Sequence, residues 1–95
     1  MLLLPVQWGV VTARPPPGLP ALLQDPNERV RLLAAEVARY RNDLAVAPAL
    51  VKLLADPSPS VRQEAHRSLV ALNGGADLAP VDAPDAQAKW SERFK

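Results

Sequence analysis

Two stretches of this chain are copies of one another. Leu22-Leu23-Gln24-Asp25-Pro26-Asn27-Glu28-Arg29-Val30-Arg31-Leu32-Leu33-Ala34 recurs 31 positions later as Leu53-Leu54-Ala55-Asp56-Pro57-Ser58-Pro59-Ser60-Val61-Arg62-Gln63-Glu64-Ala65. Carried back to Pro17 and Pro48, the comparison gives nine identities in 18 aligned positions. Chance would give about one or two for so biased a composition. The identities include Asp, Pro and Arg, so they exceed a shared Leu/Ala bias. A period of this length is the signature of stacked supersecondary units, each unable to bury its apolar side alone.

Each unit reads as two helices joined by a tight turn. In the second, Leu50, Leu53 and Leu54 fall at helical spacing between Pro48 and Ala55, and Asp56-Pro57 ends that helix. Ser58 is then the N-cap and Pro59 the first residue of a helix running to about Asn73, where Gly74-Gly75 supplies the stop. Val61, Ala65, Leu69 and Leu72 form its apolar stripe. In the first unit Gly18 to Gln24 is the short helix, Asn27 the cap, and Glu28 to Arg41 the longer helix. Val30, Leu33, Ala34, Val37 and Ala38 give that helix a broad apolar face, as expected with neighbours on more than one side. Ala34 and Ala65 recur at the repeat period, which favours close approach of the two helices of a pair.

Composition agrees with a helical core. The chain has 95 residues, enough for one small domain. It holds 15 Leu, 16 Ala and 10 Val, no Ile, and aromatics amount to 4%. A β-sandwich would be richer in β-branched and aromatic side chains. The 11 prolines cluster at element boundaries. A net charge of +1 provides no global field for nucleic acid or an anionic membrane. Zero cysteines removes disulfides, thiol catalysis and thiolate metal sites. No stretch approaches the ~18 apolar residues of a membrane span, and the apolar start lacks a basic leader region. A cytoplasmic protein is expected by default.

The pattern Leu-Leu-x-Asp-Pro-x-x-x-Val-Arg-x-x-Ala, present at Leu22 to Ala34 and Leu53 to Ala65, resembles the HEAT repeat, and most closely the short variety named after phycobilisome lyases. The resemblance spans about residues 17–73. It implies a polar ladder between stacked repeats formed by the turn Asp and the helix Arg, here Asp25, Arg31, Asp56 and Arg62; the alternative is that Arg31 and Arg62 are solvated surface charges. The stretch Leu72-Asn73-Gly74-Gly75-Ala76-Asp77, followed by Trp90, is similar to the end of some bacterial HEAT-like arrays, which places the end of the array here.

The expected architecture is all-α: a short α-α superhelix, or α-solenoid, of two stacked helical hairpins plus a C-terminal capping helix. Residues 1–16 form an irregular segment, 17–75 the repeats (17–42 and 48–75), and 76–95 a loop and the cap. Two repeats are few for a stable stack, so the ends must cover it or the molecule must associate. The cap has Asp82, Pro84 and Asp85 at its start, Lys89, Arg93 and Lys95 toward its end, and an apolar stripe of Ala86, Trp90 and Phe94. At the other end Leu2, Leu3, Leu4, Val6, Trp8, Val10 and Val11 are too apolar for a free tail. They are expected to cover the open face of the first repeat; alternatively the chain belongs to a longer array, or self-associates through its open ends.

No enzyme signature emerges, and no catalytic, cofactor-binding or metal-ligating residue is assigned. His66, the single histidine, stands on a helix with no converging ligands, and Glu64, two residues away, points elsewhere. Arg29, Arg31, Arg39, Arg41, Arg62 and Arg67 lie along the second helices, but Glu28, Glu36 and Glu64 interleave and aromatics for base stacking are lacking apart from Tyr40. The expected function is therefore protein–protein interaction or scaffolding. The alternatives are an enzyme-associated subunit such as a chromophore lyase-type component, and a weak nucleic-acid binder. Candidate surface residues are Lys52 on the first-helix side and Arg39, Gln63 and Arg67 on the second-helix side; the choice of binding face stays open.

Overall fold

A computed structural model describes residues 18–95. All regular elements among the described residues are helical: α1 (Leu19–Leu22), α2 (Glu28–Arg41), a 3₁₀ turn (Leu44–Val46), α3 (Ala47–Leu53), α4 (Pro59–Leu72) and α5 (Ala86–Arg93). Helices α1 and α2 form the first hairpin, α3 and α4 the second, and α2 packs on α4. No helix among the described residues is long and apolar enough to cross a membrane.

The same local chemistry builds both hairpin turns. Asp25 Oδ1 accepts the Asn27 N–H at 2.8 Å, and Asp56 Oδ1 accepts the Ser58 N–H at 2.9 Å. The next residue pair then caps the long helix: the Asn27 side chain accepts from Arg29 N, and Ser58 Oγ from Val61 N. At the far ends the solutions differ. Asn42 enters the left-handed region with φ 51° to close α2. Helix α4 ends in a Schellman arrangement, with Gly74 N–H donating to Ala71 O and Gly75 N–H to Val70 O, while Gly74 and Gly75 take φ of 67° and 91°. A 3₁₀ turn capped by Asp43, not evident from sequence pattern, bridges the hairpins, and α3 ends at Leu53, two residues before the expected Ala55.

Val61, Ala65, Leu69 and Leu72 are all buried, as the stripe on α4 requires. The face of α2 needs correction. Leu33, expected inside, is 56% exposed, while Ala35 is fully buried. The cause is that α2 meets α4 on the side of Ala35, whose carbonyl accepts from Ser68, whereas Val30, Leu33 and Val37 line a groove with Leu19 and Leu22 of α1. Helix α5 closes the other end. Trp90 is fully buried, Phe94 stacks on it with ring centroids 6.1 Å apart, and Gln87 Nε2 donates to the Val51 carbonyl on α3. The expected cover by residues 1–16 lies outside the described residues.

Candidate functional site

Among the described residues, the polar side chains converge most densely on the seam between the hairpins. Arg31, Ala35 and Arg39 are spaced by four and so share one face of α2. Arg31 Nε and Nη2 donate to the two carboxylate oxygens of Asp56 at 2.7 and 3.0 Å, a bidentate pair across the stack. Its remaining terminal nitrogen, Nη1, donates to the carbonyls of Asp25 and Pro26 at 2.7 and 3.0 Å. One guanidinium thus ties its own turn to the next repeat. Burial works against ionised Asp56, but the hydrogen bonds from Arg31 and from the Ser58 backbone outweigh it and hold the carboxyl below the usual carboxylate range. The hydrogen bond to Asp56 in turn raises the Arg31 pKa, deepening a charge that is permanent in any case.

A second pair lies two turns along α2. Arg39 Nη1 donates to Glu64 Oε2, and 3.5 Å away lies Ser68 Oγ. Ser68 is fully buried and donates to the Ala35 carbonyl at 2.6 Å. Burial lowers the Arg39 pKa and its bond to Glu64 raises it, with a net rise. Arg39 was expected on the binding surface; its side chain is instead 15% exposed and held between α2 and α4. The reason is register. An Arg on the long helix meets the carboxylate 25 positions on, and both Arg31–Asp56 and Arg39–Glu64 obey this spacing.

The other members of the expected ladder are placed unequally. Arg62 Nη1 donates to the carbonyls of Asp56 and Pro57, repeating what Arg31 does in the first hairpin. Its Nε and Nη2 have no carboxylate partner among the described residues. The Asp25 carboxylate caps its own turn and meets no guanidinium among the described residues.

His66 has a job that the sequence did not disclose. Its Nε2 lies 3.0 Å from both Asp77 Oδ1 and Ala79 O, two acceptors, which assigns the ring hydrogen to Nε2. Trp90 Nε1 donates to the same Ala79 carbonyl at 3.1 Å, and the two rings meet edge to face. His66 and Trp90 together pin the loop between α4 and α5. No group of three or more His, Cys, Asp or Glu side chains that could hold a metal ion occurs among the described residues.

Three of the candidate surface residues do stand in solvent. Gln63 and Arg67 are exposed on α4, beside His66, Val70 and Asp77. Lys52 is exposed on α3, at the edge of a shallow groove floored by Val51 and Phe94 and flanked by Lys95. The first surface lies on α4 and the loop that follows it, the second between α3 and the C-terminal cap.

Residues 16–86 match the family described as HEAT repeats. No curated protein and no solved structure shows a significant match to the chain.

Proposed function

Because the chain belongs to the HEAT repeat family, whose repeats commonly mediate protein–protein contact or scaffolding, we propose that it is a protein-binding module without catalysis of its own. The observation that carries this reading is the division among its polar side chains. Arg31, Arg39, Asp56, Glu64 and Ser68 serve the seam, while Lys52, Gln63 and Arg67 face water on a rigid helical frame. A solenoid binds by the shape and charge of such a frame and needs no reactive group.

The same division weakens the nucleic-acid reading. Of the arginines on the second helices, Arg31, Arg39 and Arg62 are engaged by carboxylates or turn carbonyls, so a continuous basic strip does not form. Arg67 and Gln63 are the preferred contacts, because they project from α4 beside the pinned loop. The test is capture of partners with the full chain, repeated with Arg67→Glu and with Lys52→Glu. A partner lost on one reversal and kept on the other identifies the binding side. A chain that retains no partner, or whose partner ignores both reversals, refutes the proposal.

A further inference from the structure

The repeat sets two arginines in equivalent positions, and only one of them is fully used. Arg31 and Arg62 stand 31 positions apart. Each sends Nη1 back to the carbonyls of its own turn, Arg31 to Asp25 and Pro26, Arg62 to Asp56 and Pro57 at 2.7 and 3.3 Å. That anchor fixes the guanidinium and leaves its Nε–Nη2 edge as a two-donor fork. The Arg31 fork grips both carboxylate oxygens of Asp56. The Arg62 fork grips nothing among the described residues. Nor do residues 1–17 hold an acid for it. All ten Asp and Glu side chains of the 95 residues lie at or after Asp25, and none of them accepts from Arg62.

The surroundings of the fork suit an incoming negative charge. On α4 the positions equivalent to Arg31, Ala35 and Arg39 are Arg62, His66 and Val70. The loop after α4 reaches this face at His66, which meets Asp77 and the Ala79 carbonyl. Arg67, five residues beyond Arg62, is exposed and joins no ion pair among the described residues. The nearby carboxylates are committed, Glu64 to Arg39 and Asp77 to His66 and the Ala79 N–H. Beside Arg67 a shallow depression of about 400 Å³ offers Val70 to an apolar neighbour. We propose that this face of α4 binds an acidic segment of another protein. One Asp or Glu carboxylate enters the Arg62 fork as Asp56 enters that of Arg31, a second negative charge lies toward Arg67, and an aliphatic side chain rests on Val70. The inference rests on the reading of the molecule as a protein-binding module and names the chemistry of its partner. A carboxylate is favoured over a phosphodiester because Arg31 shows what this fork takes, and because a net charge of +1 offers no field for a polyanion.

The test follows the arginine Nε–H resonances of the full ¹⁵N-labelled chain during titration with the blocked peptide acetyl-Asp-Glu-Leu-amide, its neutral counterpart acetyl-Asn-Gln-Leu-amide, and a single-stranded oligothymidylate. The acidic peptide is expected to move the Arg62 resonance saturably and to leave that of Arg31, whose fork is filled, in place. The neutral peptide moves neither. Arg62→Lys keeps the charge but loses the fork, and is expected to weaken the acidic peptide about tenfold, the loss of one charge-assisted hydrogen bond. An Arg62 resonance that the acidic peptide leaves unmoved in the parent chain overturns the proposal, whether or not the variant folds. Equal affinity of Arg62→Lys and the parent overturns it too, as does an oligothymidylate that binds at Arg62 more tightly than the peptide. In partner capture with the full chain, a partner held equally by Arg62→Lys overturns this inference alone, whereas a chain that retains no partner overturns the reading on which it rests.

Discussion

Arg31 and Asp56, 25 positions apart in sequence, meet in a two-point bond whose distances are 2.7 and 3.0 Å. The spacing follows from the repeat. Arg31 stands six residues after its own turn aspartate, Asp25, and the next turn aspartate comes 31 residues after the first, leaving 25. The fork geometry of the guanidinium is what the site exploits, so Arg31→Lys lowers the urea midpoint although it keeps the charge. Equal midpoints for Arg31→Lys and the parent chain would show the pair to be incidental.

Acid sensitivity follows from the same pair. The Asp56 carboxyl titrates lower in the folded chain than its unfolded value of about 3.9. The native state therefore holds that proton less tightly than the unfolded one. The contribution is complete above about pH 5 and is lost as pH falls through the unfolded value toward the folded one. Asp56→Asn is expected to be less stable at pH 7 and to lose less between pH 5 and pH 3, measured by thermal unfolding across that range.

Two arginines of one sequence class separate by burial. Arg39→Ala strips the partner from a carboxylate in the seam and is expected to cost about 1–3 kcal/mol. Arg67→Ala changes an exposed side chain and is expected to stay within about 0.5 kcal/mol of the parent. Denaturant unfolding of both variants checks this, and a costly Arg67→Ala would contradict the seam geometry.

Trp90 is the largest buried side chain among the described residues and the anchor of α5. Trp90→Ala is expected to cost about 3–5 kcal/mol, a large share of the ~5–15 kcal/mol that stabilises a domain. Amide exchange would then show α5 and the loop at residues 76–85 opening before α2 and α4.

Ser58→Ala removes the side-chain cap of α4 and is expected to cost about 1 kcal/mol. Ser58→Gly, which keeps a favourable cap backbone, is expected to cost less. Reversal of that order in chemical denaturation would remove the role assigned to the hydroxyl.

The hairpins were legible because their boundaries are written in local chemistry. Asp25-Pro26-Asn27 and Asp56-Pro57-Ser58 can hardly do anything but end one helix and cap another, and Val61, Ala65, Leu69 and Leu72 repeat at a spacing that leaves one choice of face. The face of α2 was less legible. A helix carrying Val30, Leu33, Ala34, Ala35, Val37 and Ala38 is apolar over most of its circumference, so periodicity could not rank Ala35 above Leu33. Nor could one helix reveal that Arg39 is enclosed and Arg67 is not, since that depends on the offset between repeats. The shared step of 25 from Arg31 to Asp56 and from Arg39 to Glu64 was the available signal. The role of His66 depends on where the irregular loop at Asp77 and Ala79 returns, and no pattern encodes that.

Arg31, Ala35 and Arg39 occupy successive turns of a single helical face, with a methyl group between two charges. The distance between the hairpins is therefore one dimension governed by the smallest of the three. A bulkier side chain at Ala35 would act as a wedge, straining both ion pairs and the Ser68 contact together, so alanine at this position is the gauge to which the charged rungs on either side are cut.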